Sequence, residues 1–239
     1  ASKDYSNTQY LSFDRVLKEG ASKPLNESYN TLSNEPSLII NSSGTTGIPK
    51  PIVHSNKTVN SSAQKKLFID FPMNRENFVF KSIPSHIGFG LINTMYSSLV
   101  SGTGIILNHS DTPDQAFAYT IDLLKNYNSF LKNHNFNENA KLLLYTSPMF
   151  YRVIFDKIKL FDDLSFMGGL LGAGSKMSKE ELNEMKKMLL EKNCNLNICN
   201  GYGQNELAGP VTCNDNSYNI NGSAGYPVIG TDIKIVNID

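Results

Sequence analysis

Residues 41 to 55 read NSSGTTGIPKPIVHS, and the apolar run SLII leads straight into them. Ser43 to Pro49 hold two glycines, a serine and two threonines, and Lys50 follows. Glycines let successive backbone N–H groups converge on one point without interference from Cβ atoms, and hydroxyls add donors to that point. Such a loop can hold phosphate oxygens. Its spacing is not the G-x-x-x-x-G-K-S/T of the Walker loop, so it is not an ordinary nucleotide P-loop. The same composition also suits a plain flexible connection between a strand and a helix, and composition alone leaves both readings open. Other candidates are weaker singly: Tyr202 reads as a half-buried aromatic, Glu206 as a solvated carboxylate, and Gly172 and Gly174 as helix-entry turns.

The elements that would position these groups are legible from periodicity. The first 35 residues or so are polar and turn-rich, with one short helix expected near Phe13 to Leu17. Residues 37 to 41 are expected to be a buried strand, and a helix is expected from near Ser55 to about Ile69. A second helix is expected over about Pro113 to Asn133, with Thr112 as N-cap and Phe117, Ile121, Leu124, Phe130 and Leu131 facing inward. Strands are expected at 77–83, 104–108, 141–146 and 196–200. Between the last two lie one helix starting at Pro148 and another from Lys179 to Lys192. The latter has a capping box, Ser178 with Glu181, and an inward row of Leu182, Met185 and Leu189. This alternation gives an α/β layered fold with a largely parallel or mixed sheet and flanking helices. From Asn214 onward turns and short alternating strands take over, so residues 1–213 read as an α/β core and 214–239 as the beginning of a small β-barrel subdomain. No internal repeat is visible.

Composition narrows the function. Twenty-two basic residues balance twenty-two acidic ones, and without a Lys/Arg cluster there is no electrostatic reason to expect nucleic acid as a partner. No apolar run approaches the roughly 18 residues a membrane span needs, and ASKDYS at the start is no signal core. Cys194, Cys199 and Cys213 are odd in number and lack C-x-x-C spacing, which favours a reduced, cytoplasmic setting. The four histidines form no ligand pair, so a zinc site is not expected.

The string SSGTTGIPK, Ser42 to Lys50, resembles the phosphate loop of the adenylate-forming (AMP-binding) enzymes: acyl- and aryl-CoA synthetases, adenylation domains of peptide synthetases, and beetle luciferases. It fits every position of their signature, and departs only just after it, with Pro51 where Gly is usual. GYGQNE, Gly201 to Glu206, is similar to the family's G-Y-G-x-T-E segment. GAGSKMS, from Gly172, resembles its small-residue adenine-edge segment. TSPMFYRVI, at Thr146, and GSAGYPVIGTDIKIVN, from Gly222, also have counterparts in the same order. Together the matches span residues 37 to 239.

The resemblance implies ATP and Mg²⁺ as cofactors. Ser42, Ser43, Gly44, Thr45, Thr46, Gly47 and Lys50 would hold the β,γ-phosphates. Tyr202 would stack on adenine, in a pocket shaped by Gly172, Ala173, Gly174, Gly201, Gly203 and Gln204. Asn205, in place of the usual Thr, would contact the α-phosphate, and Glu206 would bind Mg²⁺. Thr45, Thr46, Lys50, Asn205 and Glu206 are thereby the implied catalytic groups.

For the substrate, the resemblance points to the stretch IPSHIGFG, with His86, Ile87, Gly88 and Phe89, and to Leu171. The family's His falls at Ile87. Either a one-residue shift restores His86 to the site, or the role is filled differently, or His86 packs at a strand end. No acidic residue occurs between Asn77 and Ser110 to hold an α-ammonium group, so a carboxylic acid without a free α-amine is favoured. Phe89, Leu91, Leu170 and Leu171 suggest apolar walls for an acyl or aryl tail.

The implied activity is ATP-dependent formation of an acyl-adenylate followed by thioester formation. CoA is the preferred acceptor, and the phosphopantetheine thiol of a carrier protein is the alternative. A non-catalytic nucleotide-binding relative is the reading from a different class. The family's ribose-binding Asp and its C-terminal Lys would lie beyond Asp239. The chain therefore reads as the middle of a longer enzyme, inactive by itself.

Overall fold

The computed structural model describes residues 13–21, 33–42, 49–108, 110 and 112–237. It divides the chain into two units, 1–32 and 33–239. In the first, helix α1 (Phe13–Ala21) carries an Arg15–Glu19 ion pair one turn apart at 2.7 Å.

The second unit begins with a two-stranded antiparallel ribbon, β1 (Pro36–Asn41) and β2 (Pro51–Ser55). Two expectations change here. β1 is not a buried strand: only Ile40 is buried, and Ile39 and Val53 are 65% and 56% exposed. The glycine-rich stretch also joins two paired strands instead of running from a strand into a helix. An isolated ribbon has just one face to cover, which is why the apolar run stays half in water. The helix follows directly: Ser55 caps α2 (Asn56–Lys65), accepting from the Thr58 amide, and a 3₁₀ turn (Lys66–Phe68) ends it.

The main sheet has the order β4-β3-β5-β6-β7-β8-β9. Its parallel part is β3 (Phe78–Lys81), β4 (Gly104–Leu107), β5 (Leu142–Thr146), β6 (Met167–Ala173) and β7 (Ile198–Gln204). Antiparallel β8 (Gly209–Cys213) and the two-residue β9 (Tyr226–Pro227) extend it. Mixed sheet and flanking helices are the fold class expected from the alternation.

Two strands of the main sheet had no signal. β6 contains Gly168, Gly169 and Gly172, and reads as a loop. Its glycines answer to packing: a Cβ on Gly169 would lie 2.6 Å from the Phe71 ring, and one on Gly168 would lie 2.7 Å from Lys141 Cβ. β8 pairs back on β7 through Ala208 and Gly209, both at positive φ.

Alternation along the strands builds two cores. Phe80, Leu142, Leu144, Leu170 and Ile198 face one layer, under α5 (Pro113–Asn133), α6 (Pro148–Asp156) and α7 (Lys179–Leu190). Val79, Leu143, Tyr145, Leu171 and Cys199 face the other, with Ile69, Phe71 and Cys213. In α5, Leu124 and Leu131 are buried while Phe117, Ile121 and Phe130 pack only partly against that core. Thr112 completes a full capping box with Gln115. In α7 the expected box is half formed: Ser178 accepts from the Glu181 amide, but the Glu181 carboxylate turns to Arg152, at 2.6 and 3.1 Å. Burial of Leu182, Met185 and Leu189 is as expected.

Candidate functional site

Parallel strands leave their carboxyl ends on one edge of a sheet, and ligands of α/β folds settle there, at points where neighbouring strands lead away in opposite directions. Here β3 leads to β4 on one side, and β5 leads to β6 and β7 on the other. A cavity of about 210 Å³ opens along that edge. Ile83 lines it just past β3, Ser147 past β5, Leu171, Ala173 and Gly174 at the end of β6, and Gly201 to Gln204 in β7. β8 closes it with Gly209, Pro210, Thr212 and Cys213.

The sequence-derived residues distribute unevenly around this cavity. Ala173, Gly174, Gly201, Tyr202, Gly203, Gln204 and Asn205 line it, with Tyr202 46% exposed. Gly172 sits one residue behind, buried, where a Cβ would stand 3.3 Å from the Met177 sulfur. Gly203 allows β7 and β8 to touch, since a Cβ there would strike the Gly209 carbonyl. Of the residues expected around the substrate, Ile87, Phe89 and Leu171 line the cavity, while His86 is exposed and is not in the wall. Leu170 and Leu91 are not in the wall either. Successive strand residues point to opposite faces, so Leu170 joins the core under the helices when Leu171 faces the cavity. Leu91 packs with Ile40, Val59, Ile92 and Ala208.

Asn205 ties three segments together. Its Oδ1 accepts from the Gly88 amide at 3.0 Å, and its Nδ2 donates to the Asn41 carbonyl at 3.0 Å. Its own carbonyl accepts from Nε2 of buried His54 at 2.8 Å, which fixes the imidazole proton on that nitrogen. The end of β1, the start of α3 (Gly88–Gly90) and the end of β7 are thus held at one point. Ser42 and Lys50 close the glycine-rich stretch at its base: the Ser42 amide donates to the Lys50 carbonyl at 2.8 Å, and the Lys50 amide to Ser42 Oγ at 3.1 Å. Ser43, Gly44, Thr45, Thr46 and Gly47 lie outside the described residues. Glu206 is exposed on the 3₁₀ turn Asn205–Leu207, next to the cavity wall.

Sequence reading missed Lys66 and Asn93. Lys66 is 1% exposed, lines the cavity from the turn ending α2, and stands 5.0 Å over the Tyr145 ring. Burial lowers its pKa, only partly opposed by the Cys213 and Cys199 thiols. Asn93, in the π-helical stretch Leu91–Tyr96, also lines the cavity, and its buried Oδ1 has no hydrogen-bond partner. Lys66 gave no signal because it ends a run of polar residues that reads as a solvated helix face. The thiols of Cys194, Cys199 and Cys213 are free and buried, and burial raises the pKa of each, Cys199 to about 12. Among the described residues no cluster of three or more His, Cys, Asp or Glu could hold a metal, and no helix is long and apolar enough to cross a membrane.

The fold has counterparts among solved structures. The chain is similar to the anthranilate CoA ligase AuaEII in complex with anthranoyl-AMP, with a TM-score of 0.69 and 18% identity over 86% of this chain and 36% of that one. A benzoate CoA ligase from Burkholderia xenovorans LB400 gives 0.64 and 18% identity over 88% of this chain and 38% of its own. The O-succinylbenzoate coenzyme A synthetase MenE from Bacillus subtilis, in complex with ATP and magnesium ion, gives 0.65 and 15% over 87% and 38%. The chain thus spans little more than a third of the length of these proteins. At such identities the likeness concerns the fold. A family model described as AMP-binding enzyme matches residues 4–239. With nearly its whole length matched, the chain belongs to the AMP-binding enzyme family.

Proposed function

We propose that this chain carries the nucleotide- and acid-binding region of a ligase that activates a carboxylic acid with ATP and then transfers the acyl group to a thiol, CoA in the first instance. In the first step a carboxylate oxygen attacks the α-phosphorus, the bond to the bridging oxygen breaks, and pyrophosphate leaves with its electron pair. The acyl-adenylate then yields its acyl group to the thiolate, with AMP as leaving group. The observation that carries this reading is the junction at Asn205. It joins the strand entering the glycine-rich stretch to the Tyr202 segment and to the apolar wall at Gly88 and Phe89.

The residues present fit ATP and Mg²⁺. An exposed aromatic, Tyr202, flanks backbone kept bare by Gly201, Gly203 and Gly174, and an exposed carboxylate, Glu206, stands beside it. ATP supplies the activating group and Mg²⁺ neutralises charge on the phosphates; the protein's part is positioning. Tyr202 stacks on adenine between Ala173, Gly174 and Gly201, and Glu206 holds the metal. Ser43 to Gly47 and Lys50 offer N–H, hydroxyl and ammonium donors to the β,γ-phosphates. One Nδ2 hydrogen of Asn205 holds Asn41, and the other is free to reach the α-phosphate. Ile87, Phe89 and Leu171 form the apolar wall for the acid, whose carboxylate must lie toward Asn205 for in-line attack. The described lining holds no Asp or Glu to receive an α-ammonium group, in keeping with an acid lacking a free α-amine. Residues 214–239 begin the small β subdomain in this reading, and the reaction is cytoplasmic.

The test is pyrophosphate–ATP exchange by the full-length protein across a panel of carboxylic acids. Exchange with at least one acid is expected, and the double change Thr45→Val, Thr46→Val should cost about 2–4 kcal/mol of transition-state binding, as removal of oxyanion donors does. Exchange with no acid, or wild-type rates in the double variant, overturns the reading. Thioester formation with free CoA, against transfer to a carrier protein only, decides the acceptor.

A further inference from the structure

An acid cavity with apolar walls has no obvious need of a lysine, yet Lys66 stands in this one. It is the only Lys or Arg of the lining, and no carboxylate lines the cavity among the described residues. Lys66 is 1% exposed and its ammonium makes no ion pair or hydrogen bond among the described residues; its neighbours are the Tyr145 ring face at 5.0 Å and the thiols of Cys199 and Cys213. A buried ammonium left so is costly, because a ring face returns only part of the lost hydration. A second polar group on the same wall lacks its partner too: Asn93 is 5% exposed, and its buried Oδ1 accepts nothing. Amide orientation is interchangeable, so Asn93 can present either its carbonyl or its NH₂ to the cavity. Both groups are absent from the nucleotide-facing segment Ala173 to Asn205; they come from the turn ending α2 and from the helical stretch after Gly88.

We propose that Lys66, with Asn93 in the same cavity lining, is a receptor for a second anionic group on the substrate, so that the acid activated here is a dicarboxylic acid. Resting on the reading above, this specifies its substrate: one carboxylate meets the α-phosphate near Asn205, and the other pairs with Lys66. The ammonium gains a charge-assisted partner only when such an acid is bound. A monocarboxylic acid with an apolar tail leaves Lys66 buried and unpaired.

The experiment compares matched acids on the full-length protein by pyrophosphate exchange: straight-chain diacids of increasing length, the monoacids of the same lengths, and the half methyl esters of the diacids. The best diacid is expected to exceed its monoacid and half ester at least tenfold in kcat/KM. Lys66→Met should remove that preference by lowering the diacid rate, with the monoacid rate equal or higher, and Lys66→Arg should retain part of it. Lys66→Met is also expected to raise the melting temperature, which shows that the variant folds. Exchange with monoacids at rates equal to or above the diacids overturns the inference, as does a Lys66→Met variant that loses both classes alike. Those outcomes leave adenylation standing, whereas absence of exchange with every acid overturns the adenylation reading and this inference together.

Discussion

Replacing Asn205 by Ala tests whether one side chain really fastens three segments of the site. The substitution removes the acceptor for the Gly88 amide and the donor to the Asn41 carbonyl, both 3.0 Å from the Asn205 side chain. Gly88 is buried and its amide would be left unsatisfied, which costs about 1–3 kcal/mol, while Asn41 is exposed and water replaces the donor at about 0.5 kcal/mol. The sum is about 1.5–3.5 kcal/mol. The bond from His54 goes to the Asn205 carbonyl and survives the change. Asn205→Thr, the residue usual in the family, keeps one hydroxyl for one of the two partners and should cost about half as much. Urea unfolding followed by circular dichroism reads these differences directly. A midpoint for Asn205→Ala equal to that of the wild type would refute the claim that the junction is held by this amide. The expected loss of stability with undiminished pyrophosphate exchange would show that Asn205 holds the fold and not the reacting groups.

Other outcomes follow from the same geometry. Gly209→Ala should destabilise by about 1–3 kcal/mol or fail to fold, because the added methyl would run into Ser62 Oγ and Asn93 Oδ1; Gly174→Ala, at φ +95° with open space around it, should cost about 1 kcal/mol, as thermal melts will show. Glu206→Gln should leave the melting temperature unchanged, since the exposed carboxylate has no ion-pair partner among the described residues, while exchange falls at least tenfold at ordinary Mg²⁺ concentration. The Cys199 thiol, raised from 9.0 to about 12, should resist alkylation at neutral pH in the native protein. A raised thiol pKa means the unfolded chain loses its proton first, so this contribution to stability is complete below pH 9 and drains away between about 9 and 12; a denaturation series across that range checks the sign.

How much of this was legible in the sequence depended on which force decided each element. Where burial of one face decided, periodicity was enough: Leu182, Met185 and Leu189 stand inward on α7, and Leu142, Leu143, Leu144 and Tyr145 fill both faces of a central strand. Where close approach decided, it was not. β6 gives up side chains at Gly168 and Gly169 to the Lys141 stem and the Phe71 ring, and so looks like a loop. β2 was hidden for another reason: its partner β1 is supplied across the glycine-rich stretch, and no local pattern announces an antiparallel return. In the site, the Tyr202 segment was legible because its residue types stand in a fixed short order. Lys66 and Asn93 come from two other segments and meet it only through the fold.

That contrast bears on why Lys66 is informative. In a sequence whose local choices agree with its fold, a buried group left without a partner stands out against the funnel that the rest of the chain defines. Three such groups stand around the cavity, the ammonium of Lys66 over the Tyr145 ring, the unpartnered hydroxyl of that same tyrosine and the carbonyl of Asn93, while the unpartnered Tyr127 hydroxyl belongs to the opposite core. Methionine at position 66 would fill similar space without the desolvation that lowers the lysine's pKa. A folded-state pKa below the ordinary 10.5 means that protonation favours the unfolded chain more and more as the pH falls beneath that value, so at neutral pH the lysine works against the fold. A residue that weakens the apo protein while facing the space where substrate must sit is stabilised by what enters that space, and a second carboxylate is the group that would do so.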